Sequence, residues 1–243
     1  MHDDGRFDAE FEAAAGEPAA AAQPEPMGLF QRLLNVMVSP GEAMRAVVAH
    51  PSWFAALALG GVLIAVGIAL IPPEIFIENM QRRAAEQGGE LPPGFGEGSG
   101  AMFRVFGILG SVLFWFIAAW VLSGLLTLLF AFVLGDEGRY RQYLAVWAHA
   151  QFVAALGQLV VTPLRISNRD PQLVLSVGTL LPFLGDGYLA ALLGQLDLFG
   201  LWGWGLIAVG VHALNPKRSL AATTAIVMVF PVLFAAIGAI FVR

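Results

Sequence analysis

LDLFGLWGWGLIAVGVHAL, residues 196–214, is apolar over about the length a bilayer core demands of a helix. Lys217 and Arg218 follow it directly; Asp197 stands at its entrance, Trp202 and Trp204 just inside, and His212 near its exit. Outward from this stretch the chain repeats one pattern, apolar runs with marked ends. Backbone groups in lipid must bond within their own segment, so such runs are read as helices. The short alternating segments of an outer-membrane barrel are absent from the sequence.

Composition agrees. The chain is 58% hydrophobic and 13% charged, where soluble domains run near 45–50% and 25%. The net charge of −5 is deceptive. Asp3, Asp4, Asp8, Glu10, Glu12, Glu17 and Glu25 stand against Arg6 alone, a local −6 in residues 1–26, and everything after sums to +1. With almost no large apolar side chains, that stretch is expected to be a disordered acidic tail; a surface for a basic partner is the alternative. The sequence has no cysteine, which rules out disulfides and cysteine-ligated metal. The acidic N-terminus has no apolar signal region, so the first span is expected to serve as an uncleaved insertion signal.

Between residues 27 and 51 two short helices are expected. Leu29, Phe30, Leu33, Leu34, Met37 and Val38 recur at helical spacing, too short to span. Ser39-Pro40-Gly41-Glu42 then reads as a helix start: Ser39 as cap, Pro40 at the first position, Glu42 closing a capping box. Both are read as amphipathic helices in the membrane interface, with packing onto the chain's own spans as the alternative.

Five spans are expected in residues 52–243. The first runs from Ser52 to Ile71 and is closed by Pro72-Pro73, with small pairs Ala56/Gly60 and Gly61/Ala65 that permit close helix contact. A surface helix (Ile75 to Ala85) and the flexible linker GGELPPGFGEGSG lead to the second, about Val105 to Leu134. After the Gly135–Gly138 turn comes the third, Gln142 to Leu164, the most polar. Residues 165–195 are read as a re-entrant or surface segment, or alternatively as a broken sixth span. The stretch quoted first is the fourth span, and Leu220 to Val242 the fifth.

Five spans place Arg32, Arg45, Arg139, Arg141, Lys217 and Arg218 on one side, four of them crowded into two short turns. Arg82, Arg83, Arg104, Arg165, Arg169 and Arg243 fall on the other. The crowding favours a cytoplasmic N-terminus.

The scarce polar residues of the spans are the candidate sites. Asp197 at a helix start is read first as a cap, then as a partner of Arg165, and only after that as a transport or catalytic acid. His149 and His212 approach one face in the five-span arrangement, but a relay or metal pair lacks a third ligand, so bundle hydrogen bonds are favoured. Gln151 and Gln158 share a face seven residues apart; interhelical hydrogen bonds are expected of them, a hydrophilic groove being the sharper alternative. Trp115, Trp120, Trp147, Trp202 and Trp204 are read as interface anchors. The sequence has no His-Glu-x-x-His, phosphate-binding Gly loop or Gly-x-Ser-x-Gly. Asp136 and Asp186 fall on opposite sides and cannot share a proton as a dyad.

SPGEAMRAVVAHPSW before the first span, GDEGRYRQYLAVWAHAQ into the third and LDLFGLW opening the fourth resemble the Yip1 domain family in its bacterial form, over about Leu29 to the C-terminus. The resemblance implies a five-span integral membrane fold with a cytosolic N-terminus. Eukaryotic relatives are linked to Rab GTPases, vesicle traffic and membrane shaping. Their signatures around Asp-Leu-x-Gly-Pro and Gly-Tyr-Gly are missing here, where Gly187-Tyr188 continues as Leu-Ala, so no Rab-type role is carried over.

The chain is therefore expected to be an all-α, multi-pass protein of the bacterial inner membrane. It is expected to act without catalysis or cofactor, as a scaffold or membrane organiser. Its expected partners are the lipid bilayer, a second copy or other membrane proteins, and no nucleic acid. A small transporter or channel subunit is the alternative, its polar path formed by Gln151, Gln158, His149 and Asp197.

Overall fold

The structure is a computed structural model that describes residues 27–91 and 98–241. The acidic tail and residues 92–97 of the Gly/Pro linker lie outside the described residues. In chain order the helices are α1 (Leu29–Val38), α2 (Pro40–Ala49), α3 (Phe54–Ala69), α4 (Pro73–Glu86), α5 (Ser99–Thr127), α6 (Tyr140–Ala150), α7 (Phe152–Ser167), α8 (Tyr188–Gln195), α9 (Leu198–Leu214) and α10 (Leu220–Ile240). α5 continues as a π-helix, Leu128–Val133. Among the described residues there is no strand, only an isolated bridge between Ser176 and Asp197.

Three helical segments are long and apolar enough to cross a membrane: Ser99–Val133, Tyr140–Ser167 and Leu220–Ile240. A fourth exists if α3 and α4 are taken together, although they bend by 76° at Pro72-Pro73. Proline cannot continue the hydrogen-bond ladder, and Pro73 instead occupies the first position of α4.

Tyr140–Ser167 is the axis of the bundle. It joins α6 to α7 at Gln151, whose ψ of −7° departs from the helical value. Protein buries 67% of its apolar window, against 22% for each of the other two long segments. The sequence placed its polar residues here, and burial against other helices is what makes them tolerable in an apolar setting. α3, α5, α9 and the N-terminal helices pack around this axis.

Close approach replaces the hydrophobic effect as the glue between helices in lipid. At Gly60 of α3 an added Cβ would sit 2.6 Å from the Trp115 ring, whose Nε1–H donates to Leu57 O at 3.0 Å. At Gly210 of α9 a Cβ would lie 2.4 Å from Val146 of α6 and 3.2 Å from Met44 of α2. Three helices therefore meet at one glycine.

α2 is docked on the bundle, with Ala43, Met44, Ala46 and Val47 fully buried. Ser39 makes no side-chain cap, which corrects the capping box expected with Glu42. Its carbonyl instead accepts from Glu42 N–H and Ala43 N–H, both at 3.1 Å. Pro40 does take the first helical turn. Half of a capping box is found at α6, where Gln142 Oε1 accepts from Arg139 N–H at 2.9 Å.

Residues 168–197 contain two short 3-10 turns (Gly178–Leu180 and Pro182–Leu184) and the eight-residue α8. No helix there is long enough to cross a membrane by itself. Pro182 and the positive φ of Gly185 (62°) stop the apolar run from propagating. The segment folds back instead: Val177 N–H donates to Leu196 O, and Leu198 N–H to Leu175 O.

Candidate functional site

One end of the bundle is closed by a polar lock between two turns. Asp136, in the turn after the π-helix, accepts from Arg218 Nη1 and Nη2 at 2.8 and 2.7 Å, and from Asn215 Nδ2 at 2.7 Å. Its side chain is 1% exposed. Arg218 lies over the Phe130 ring at 5.2 Å, and its hydrogen bonds to Asp136 hold its guanidinium above the ordinary value. His212 Nδ1 donates to Arg218 O at 2.9 Å, fixing the same turn. Sequence reading missed this cluster. Its signal was an acid and a base in turns expected on one side.

The opposite end is tied more loosely. Arg169 pairs with Glu78 through two hydrogen bonds, and Arg82 donates to Arg169 O at 2.9 Å. Arg83 bonds Gln172, and Asn79 bonds Asp170. These contacts fold α4 against the segment after α7.

Near that end, Asp197 Oδ2 accepts from Gly200 N–H at 2.8 Å at the start of α9. Arg165 feels the field of Asp197 but gives its hydrogen bonds elsewhere, to Gln158 Oε1 (2.6 Å) and Leu173 O (2.9 Å). The direct Arg165–Asp197 pair is corrected accordingly.

Gln158 thus bonds within its own helix, and the Gln151 side chain bonds to nothing among the described residues. Neither forms the expected interhelical hydrogen bond. His149 is fully buried and donates Nδ1–H to Ala145 O at 2.8 Å, leaving Nε2 without a partner. His149 and His212 therefore serve separate backbone carbonyls. Among the described residues no group of three His, Asp or Glu could hold a metal ion.

A groove of about 930 Å³ opens beside the axis, walled by α3, α5, α9 and α10. Gln151, Gln158 and Arg165 line it; His149 and Asp197 do not. Asp197 faces a separate hollow of about 210 Å³. The tryptophan expectation divides here. Trp120 (49% exposed) and Trp202 (42%) lie on the outside, whereas Trp115, Trp147 and Trp204 are buried and line the groove.

Buried Arg32 was also missed, because its spacing puts it on the polar side of α1. It donates to Ser52 Oγ (2.7 Å) and His50 O (3.1 Å), and burial pushes its guanidinium below the ordinary value. The contact pins α1 to the start of α3.

A family model for the Yip1 domain matches residues 34–241. The chain belongs to the Yip1 family. The match runs from within α1 to the end of α10, so in this Yip1 chain α2, the central axis and both tied ends are all parts of the family domain. Neither the curated proteins nor the solved structures give a match.

Proposed function

We propose that this Yip1-family protein is a non-enzymatic scaffold of the bacterial inner membrane, with five spans and a cytoplasmic N-terminus. α3 and the 17-residue α9 supply the two crossings beyond the three long segments. α9 rises about 25 Å at 1.5 Å per residue, short of a ~30 Å core, and its flanking turns cover the difference.

The observation that carries this reading is the double-faced N-terminal pair. α2 is locked into the bundle, while α1, held by Arg32, turns Phe30 (75% exposed), Leu34 (48%) and Val38 (76%) outward. These three recur every fourth residue and form one apolar stripe. A stripe presented at the bundle end that carries the basic turns suits the acyl–headgroup boundary of the leaflet or an apolar helix of another membrane protein.

Cross-linking in liposomes and affinity capture from native membranes test the scaffold role. Retained partners, lost when Phe30 and Leu34 become serine, are expected. A protein that neither self-associates nor retains any partner ends the proposal.

A further inference from the structure

The groove beside Gln151 has a built polar point that the bundle itself does not use. Gln151 is 6% exposed as a residue, and its amide has no hydrogen-bond partner among the described residues, yet it lines the groove. One turn away on the same helical face, Trp147 lines the same wall with its Nε1–H buried and unpartnered. Buried polar groups are ordinarily satisfied, so an idle amide facing a cavity points to a ligand.

Depth and charge restrict that ligand. Gln151 lies near the midpoint of the 28-residue segment Tyr140–Ser167. A phosphate or carboxylate head does not reach the middle of a bilayer without a large desolvation penalty. The groove's cation, Arg165, is already bonded to Gln158 and Leu173 O, and it faces two acids, Asp170 and Asp197. An anionic headgroup therefore finds no free counter-charge. The remaining wall is apolar and aromatic. Trp115 and Trp147 pack with centroids 4.8 Å apart, Trp204 stands beside them, and Phe114 (70% exposed) lies on the outer edge. Flat walls, an amide N–H and an apolar channel match a flat, uncharged head with carbonyl acceptors on a hydrocarbon tail.

We propose that this groove binds a lipid quinone, with a ring carbonyl accepting from Gln151 Nε2–H and the tail running along α5. The site is independent of the scaffold role. It requires only that the axis be embedded in lipid.

Two variants test it in the full chain, reconstituted in phosphatidylcholine nanodiscs with decylubiquinone as probe. Gly110 lines the groove and an added Cβ there meets nothing within 4 Å, so Gly110→Phe is chosen to place a ring at the groove wall. Gln151→Met keeps the length and removes the hydrogen bond. The wild type is expected to show saturable tryptophan quenching and a rise in melting temperature with added quinone. Gly110→Phe is expected to lose both, and Gln151→Met to bind about tenfold more weakly, as for one lost hydrogen bond. Equal, non-saturating quenching in all three proteins would overturn the proposal. So would dioleoylglycerol displacing the quinone at equal concentration, since the site would then recognise any neutral ester lipid.

Discussion

At the scale of single residues, Asp136 is an enclosed carboxylate held by two hydrogen bonds from Arg218 and one from Asn215. An enclosed carboxylate is stable only while its donors remain. Arg218→Met leaves Asp136 with Asn215 alone and is expected to cost about 3 kcal/mol, the lower end for a broken buried pair, because the Arg218 side chain is 18% exposed. Thermal melting in detergent reads this, and the double variant Asp136→Leu/Arg218→Met should recover much of the loss, since no stranded charge remains. Asp197 makes a different prediction. A cap needs an oxygen acceptor and no charge, so Asp197→Asn should melt within about 0.5 kcal/mol of wild type and Asp197→Ala about 1 kcal/mol below it. Equal losses in both variants would show that the charge matters and the cap does not.

At the scale of elements, α2 and α9 show why helix length alone misleads. α2 is too short to span, yet four of its residues are fully buried because α6 and α9 offer it a slot. The slot depends on Gly210. Gly210→Ala places a methyl 2.4 Å from Val146, and overpacking of this kind costs about 1–3 kcal/mol. Faster amide exchange in α2 than in α7 of that variant is the expected signature; unchanged exchange in α2 would mean that α2 does not rely on the slot. The π-helix at Leu128–Val133 belongs to the same end. It closes with Asp136 N–H donating to Phe130 O at 2.9 Å, and the Phe130 ring lies beneath the Arg218 guanidinium that binds Asp136.

At the scale of the whole molecule, the two tied ends define two sides. The α5–α6 and α9–α10 turns are joined through Asp136 and Arg218, so they lie on one side. α4 and the segment after α7 are joined through Glu78 and Arg169 on the other. The sequence contains no cysteine, so single introduced cysteines report cleanly. Cysteines at Glu137 and Lys217 should label only from the cytoplasm, and those at Arg83 and Gln172 only from outside. Labelling of Glu137 and Lys217 from opposite faces would contradict the five-span reading.

Apolar run length and the proline and glycine punctuation were enough to read a helical membrane protein, its turns and the most polar helix, because bilayer thickness and backbone hydrogen bonding act on the chain locally. The motifs around Ser39–Glu42, Gly135–Arg141 and Leu196–Trp202 carried the family in the same local way. Partners were another matter. That Arg165 bonds Gln158 and not Asp197, that Arg32 is buried, that Trp115, Trp147 and Trp204 turn inward, and that Asp136 meets Arg218 depend on how helices distant in sequence are rotated against each other. Those rotations are fixed by close contacts at positions such as Gly60 and Gly210, and only the assembled bundle decides them.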